Sequence, residues 1–143
     1  MEILFDSVNV KLPEFDYKVI KTWLTEVATE NSKKIKALSL IFCDDAFILK
    51  TNQKFLNHDY YTDIITFDYS KKSYISGDLI ISIDTVLSNS KIFKVDFFHE
   101  LCRVMVHGVL HLLSFDDKTD DDKKVKRDKE NYYLQKLNFR FIV

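Results

Sequence analysis

His107 and His111 stand four residues apart in His107-Gly108-Val109-Leu110-His111-Leu112-Leu113, and Asp116 and Asp117 follow within six residues. On a helix this spacing puts both imidazoles on one face, one turn apart. Two imidazoles so placed hold a divalent metal, and a turn beyond the helix brings a third ligand within reach. Asp117 is the residue expected to fill that role, with Asp116 as its rival. A His, His, Asp set leaves one position of a tetrahedral Zn²⁺ for water, which marks a catalytic rather than a closed structural site. Such water is acidified toward neutrality and becomes a nucleophile for a phosphodiester or acyl centre. The donors do not select zinc alone, since Ni²⁺, Co²⁺ or Mn²⁺ also accept imidazole and carboxylate.

The bland alternative is a helix carrying two unrelated histidines. With four histidines in the whole chain, two within one turn weigh against it. A zincin peptidase is excluded on one residue, because its general-base glutamate directly follows the first histidine and Gly108 stands there. Gly108 needs a reason of its own, since glycine inside a helix costs roughly 1 kcal/mol against alanine. Close packing against another element and room for a substrate are equally good reasons. Glu100 shares the His107 stripe but lies about 10 Å along the axis, so it reads as a supporting group rather than a ligand. Arg103, one turn before His107, suits an ion pair with Glu100 or Asp117, or a contact to phosphate. His99 faces away from this stripe, and Thr62-Asp63 reads as a turn cap.

These residues need elements to position them. Residues 2–5 suit a short strand, and Asp16 or Phe15 opens a helix with Val19, Ile20, Trp23, Leu24, Val27 and Ala28 at helical spacing. Ala37–Cys43, Ile64–Phe67 and Gly77–Ile83 are of strand length and character. Asp44 or Asp45 suits the N-cap of a helix through Phe47, Ile48 and Phe55, and Asp84 that of the helix after the last strand. Residues 57–63 are polar and turn-like. The segment from about Val95 to Leu113 is too apolar for a surface helix and predicts a central, mostly buried one. Thr119 followed by Asp120-Asp121-Asp122 and then lysines opens a last helix whose charges suit the macrodipole. Val125, Tyr132, Tyr133 and Leu137 are its expected contacts, and the charge run over 116–130 reads as a solvated face.

The bulk numbers bound the rest. At 143 residues, with 46% hydrophobic and 14% aromatic content, the chain suits one domain over 1–143 with a real core and excludes a disordered one. A net charge of −1 advertises no global affinity for nucleic acid, so any RNA contact must use local patches. Cys43 and Cys102 have no metal or disulfide-framework spacing and read as buried, reduced thiols. No signal peptide or membrane span is legible, which points to the cytoplasm.

The chemistry-bearing residues resemble the YbeY family of metal-dependent single-strand endoribonucleases, which act in ribosome maturation. That family's His-Gly-x-Leu-His-Leu-x-Gly-Tyr-Asp-His is similar to the run from His107 to Asp117. Its Pro-Thr-Asp-Val-Leu-Ser-Phe resembles Tyr61-Thr62-Asp63-Ile64-Ile65-Thr66-Phe67, its Gly-Asp-Ile resembles Gly77-Asp78-Leu79, and Asn52 matches an asparagine of the preceding block. The resemblance implies an α/β (α+β) fold, a small mixed sheet flanked by helices with a central metal-bearing helix. It implies metal ligation by His107 and His111, with Asp117 where the family has a third histidine, and Zn²⁺ or another divalent ion as cofactor. The implied substrate is single-stranded RNA, foremost precursor rRNA, with ribosomal proteins as further candidate partners and neither DNA nor membrane. Ser114 replaces a glycine, and the family's arginine falls on Leu56. Arg103 is then the expected catalytic cation, with Lys54, Lys71 and Lys72 as substitutes. A non-catalytic, metal-stabilised assembly factor and a metal hydrolase of a small substrate are the alternatives.

Overall fold

Strand-length apolar runs and helical stripes alternate along the chain, and the computed structural model resolves them into one sheet with helices on both faces. It describes residues 1–57 and 62–142, with side chains as far as residue 137. The elements are β1 (Glu2–Ser7), α1 (Tyr17–Glu30), β2 (Lys34–Cys43), α2 (Asp45–Leu56), β3 (Ile64–Asp68), β4 (Tyr74–Ser82), α3 (Ile83–Phe93), α4 (Phe97–Leu112) and α5 (Asp120–Ile142). The sheet order is β1-β2-β4-β3. β1 and β4 run parallel to β2, and β3 lies antiparallel at the edge against β4, so the sheet is mixed as anticipated.

The main core joins α1, α4 and α5 to one face of the sheet through Trp23, Leu24, Leu40, Phe42, Leu79, Met105, Val109 and Leu137, all buried. A smaller cluster, Cys43, Ile48, Ile65 and Ile80, seats α2 on the other face. α4 is the central helix. Ten of its sixteen residues are buried, which explains why its composition outruns an ordinary amphipathic stripe. Gly108 has a packing reason: a Cβ there would stand 2.8 Å from Leu79 Cδ1 and 2.9 Å from Ile64 Cδ1. An alanine there would have to push the ends of the Leu79 and Ile64 side chains aside. Both cysteines are free and buried, and burial pushes the Cys43 thiol up to about 12.

Local capping follows the sequence with one exchange. Asp16 and Asp44 accept from Val19 N and Phe47 N as N-caps of α1 and α2. Ser82, not Asp84, caps α3. Asp84 sits in that helix's first turn and accepts instead from the Asp45 backbone N–H, tying α3 to the start of α2. At α5 the Thr119 hydroxyl accepts from Asp122 N while the Asp122 carboxylate accepts from Thr119 N, a reciprocal capping box.

α5 corrects the sequence reading more deeply. Val125 and Tyr132 are exposed rather than packed, and the inward face is Lys126, Glu130, Tyr133, Leu134 and Leu137. The solvated-face reading of 116–130 thus fails at two positions, since Lys126 and Glu130 are only 2% and 4% exposed. They continue the Tyr133–Leu137 stripe toward the helix N-terminus at helical spacing, and geometry overrides their charge. Residues 58–61, within the polar segment expected to turn, lie outside the described residues. Among the described residues no helix is long and apolar enough to cross a membrane.

Candidate active site

α4 ends in a way that folds the chain back over His107. Leu113 is the C-cap, and Ser114 takes the left-handed conformation with φ 73°. Ser114 N then donates to His111 O and Phe115 N to Leu110 O, the paired bonds of a Schellman motif. Phe115 packs onto the core, and the reversed chain delivers Asp117 to the His107 side of the helix. Asp117 Oδ2 lies 3.8 Å from His107 Nε2. The family's glycine at the position of Ser114 now has its physical reason, because the turn demands a positive φ.

α5 supplies the opposite support. Glu130 Oε2 lies 2.7 Å from His107 Nδ1, and Glu130 Oε1 accepts from Arg103 Nη1 at 3.0 Å. Arg103 Nη2 also donates to Asn131 Oδ1 at 2.8 Å. Arg103 is thus ion-paired, but to Glu130 rather than to Glu100 or Asp117. Burial opposes a charge on Glu130, yet the hydrogen bonds and charges of His107 and Arg103 outweigh it and hold the carboxyl below the usual range. In the neutral form of the ring, an ionised Glu130 accepts the Nδ1 proton of His107 and the Nε2 lone pair then faces Asp117.

Lys126 occupies that same space. Its Nζ is 3.3 Å from His107 Nε2 and 3.7 Å from Asp117 Oδ2. Burial pulls its ammonium below the usual lysine value, against the charges of Asp117 and Glu130.

Two hollows meet at His107. One, about 370 Å³, is bounded by α3, α4 and α5 and includes Asp63, Glu100, Arg103, Lys126 and Glu130. The other, about 450 Å³, is lined by His107, His111 and Asp117 on one side and by Asn52, Leu56, Ile64 and Thr66 on the other. Asp63, expected as a turn cap, does take backbone hydrogen bonds at the start of β3, and it also lines the first hollow while its backbone carbonyl accepts from Ser82 N at 2.9 Å. Burial raises the Asp63 carboxyl, opposed by the charge of His107 and by backbone hydrogen bonds. Glu100, 4% exposed, is raised by burial as well, with Arg103 opposing.

The three residues expected as metal ligands therefore line one cleft. His107 and Asp117 stand face to face. His111 is exposed on the same wall, and among the described residues no three or more His, Cys, Asp or Glu side chains are gathered closely enough to hold a metal ion as they stand. The donor chemistry fits a divalent ion. Two imidazoles and a carboxylate share the wall, and a carboxylate on the far ring nitrogen of His107 is the usual partner of a metal-binding histidine. Sequence reasoning missed Lys126 and Glu130. The signal for both was the inward stripe of α5 carried back by three and seven residues from Tyr133.

The comparisons with known proteins agree with this architecture. The family profile described as Endoribonuclease YbeY matches residues 3–138. The chain is 43% identical to an Endoribonuclease YbeY of Azobacteroides pseudotrichonymphae over 96% of its length and 99% of the relative's. It is also 43% identical to an Endoribonuclease YbeY of Parabacteroides distasonis, covering 94% of each chain. A Thermotoga maritima protein solved in solution shares the fold, with a TM-score of 0.71 at 23% identity over 99% of this chain and 91% of that one.

Proposed function

The chain belongs to the YbeY endoribonuclease family, and from that premise we propose a single-domain hydrolase over residues 1–143 that cleaves single-stranded RNA with a divalent metal. The observation that carries the reading is the Glu130–His107–Asp117 line, in which a buried carboxylate orients the imidazole toward a second carboxylate. His107, His111 and Asp117 are the proposed ligands, and Zn²⁺ is the proposed ion. When bound, the ion supplies Lewis-acid activation of water and phosphate.

The chain's own residues do the rest. Glu130 fixes the tautomer of His107, and the turn through Ser114 holds Asp117 opposite it. Arg103, held by Glu130 and Asn131 in the adjoining hollow, is the proposed catalytic cation for the scissile phosphate. Leu56, Ile64 and Thr66 form a neutral opposite wall against which a single strand lies. Unpaired RNA, more pliable than a duplex, is the proposed form that this hollow of about 450 Å³ takes. Precursor rRNA is the proposed substrate, and the cytoplasm the proposed compartment.

The test is cleavage of single-stranded and duplex RNA of one sequence by zinc-loaded protein, by chelator-treated protein and by Asp117→Ala. Only the single strand should be cut. Loss of an outer-shell partner of a metal ligand already costs about 10–100-fold, so Asp117→Ala should lose at least about tenfold in rate. Full activity of chelated protein, or of Asp117→Ala, would remove the metal assignment.

A further inference from the structure

Lysine is almost never fully buried unless paired, and Lys126 is 2% exposed in a helix whose neighbouring lysines, Lys123 and Lys124, face solvent. A surface ion pair with Asp117 would not require this, because the Asp117 side chain is itself 51% exposed and could be met from outside. The buried ammonium instead reaches past Asp117 to the lone pair of His107 Nε2, at 3.3 Å. Both atoms it touches belong to residues assigned above to the metal.

A metal ligated by an imidazole nitrogen stands about 2.0–2.1 Å from it along the lone pair. That lone pair cannot serve an ammonium hydrogen and a metal at once. An ion at that distance would also stand within a few ångströms of Nζ, where two positive charges repel strongly. We propose that Lys126 is a tethered cation that competes with the divalent metal for His107 and Asp117, so that metal binds only as the ammonium swings aside. The hollow between α4 and α5 gives it somewhere to go, since Lys126 shares that space with the carboxyl groups of Asp63 and Glu100. This inference rests on the metal-dependent reading of the same residues.

The experiment titrates zinc into chelator-stripped full-length protein by calorimetry, with wild type, Lys126→Met, Lys126→Arg and His107→Ala. Methionine keeps the length and removes the charge. Lys126→Met should bind zinc about tenfold tighter or more, as expected when a repelling charge is removed at this range. Lys126→Arg should bind no tighter than wild type. A second measurement uses the wild-type chain alone: acetylation of lysines read by mass spectrometry, in which Lys126 should be protected without zinc and labelled faster with it. If wild type binds zinc through His107 and Lys126→Met binds no tighter, the competition is wrong and the ligand assignment stands. If no variant binds zinc, both fall together. Should Lys126→Met fail to fold, unchanged protection of Lys126 at saturating zinc overturns the proposal on its own.

Discussion

The two hollows that meet at His107 have walls that differ in kind. The α4–α5 wall is dense with charge: Arg103, Lys126, Glu130 and Asp117 interlock around one imidazole. The α2–β3 wall presents Leu56, Ile64, Ile65 and Thr66 with Asn52, and none of these carries charge. The family pattern puts an arginine at the position of Leu56, on the neutral wall. Here the buried cation beside His107 and Asp117 comes from α5 instead. The contrast teaches that charge around His107 is organised largely from the helix that follows α4, and that the α2–β3 side contributes shape.

Removing Glu130 should break the charged wall most severely. Glu130 balances Arg103 and orients His107, and its side chain is only 5% exposed. Taking one partner from a buried pair leaves the other charge uncompensated and costs about 3–5 kcal/mol. Glutamine retains shape and some hydrogen bonding, so Glu130→Gln should sit at the low end, near 3 kcal/mol by urea denaturation. Asp128→Asn, an equal charge change on the exposed face of α5, should stay within about 0.5 kcal/mol. Equal losses at the two positions would mean that the wall is not a network at all.

Restoring a cation to the neutral wall gives an intermediate effect. Leu56 is 41% exposed at the cleft, so an arginine there has room to meet a phosphate. One added phosphate contact on single-stranded nucleic acid steepens the salt dependence of log affinity by about 0.7. Leu56→Arg should show that change and a several-fold tighter complex at low salt, read by fluorescence anisotropy on a labelled single strand. An unaltered slope would show that the bound strand does not pass this wall.

Much of this arrangement was legible before any coordinates, and the reason is periodicity. Ile20, Trp23, Leu24, Val27 and Ala28 fall on one helical face and all are buried, as their spacing requires. The strands run a few residues further than their apolar cores suggest, because Lys34 and Tyr74 do not look like core even though their backbones pair, and Lys36 falls at an irregularity between the Ile35–Ile75 and Ala37–Ser76 pairs. His107 and Asp117 stand out in the sequence because their residue types are chemically conspicuous, and the structure places them 3.8 Å apart. Lys126 and Glu130 were lost inside a run of surface-type charges, where composition says solvent and only the helical phase says core. Arg103 was correctly given an ion pair but the wrong partner, since Glu130 lies twenty-seven residues away and local spacing cannot reveal it. Gly108 carried two equal readings, and only the approach of Leu79 and Ile64 favours packing.

The smallest expected effect concerns the turn that puts Asp117 on the charged wall. Ser114 adopts φ 73°, a left-handed conformation that costs an L-residue roughly 1–2 kcal/mol and glycine almost nothing. Against that, glycine makes the unfolded chain more flexible, which takes back about 0.4–1 kcal/mol. The balance for Ser114→Gly is a gain of about 0.5–1 kcal/mol in urea denaturation. The Schellman bonds use backbone atoms alone, so Asp117 should keep its place and zinc affinity should stay unchanged within error. The same substitution at Ser88, in the interior of α3 with its hydroxyl donating to Asp84 O, should instead cost stability, since glycine in a helix loses about 0.5–1 kcal/mol. Destabilisation at both serines would mean that the turn at Ser114 does not hold its left-handed form in solution, and with it would go the geometric reason that Asp117, rather than Asp116, faces His107.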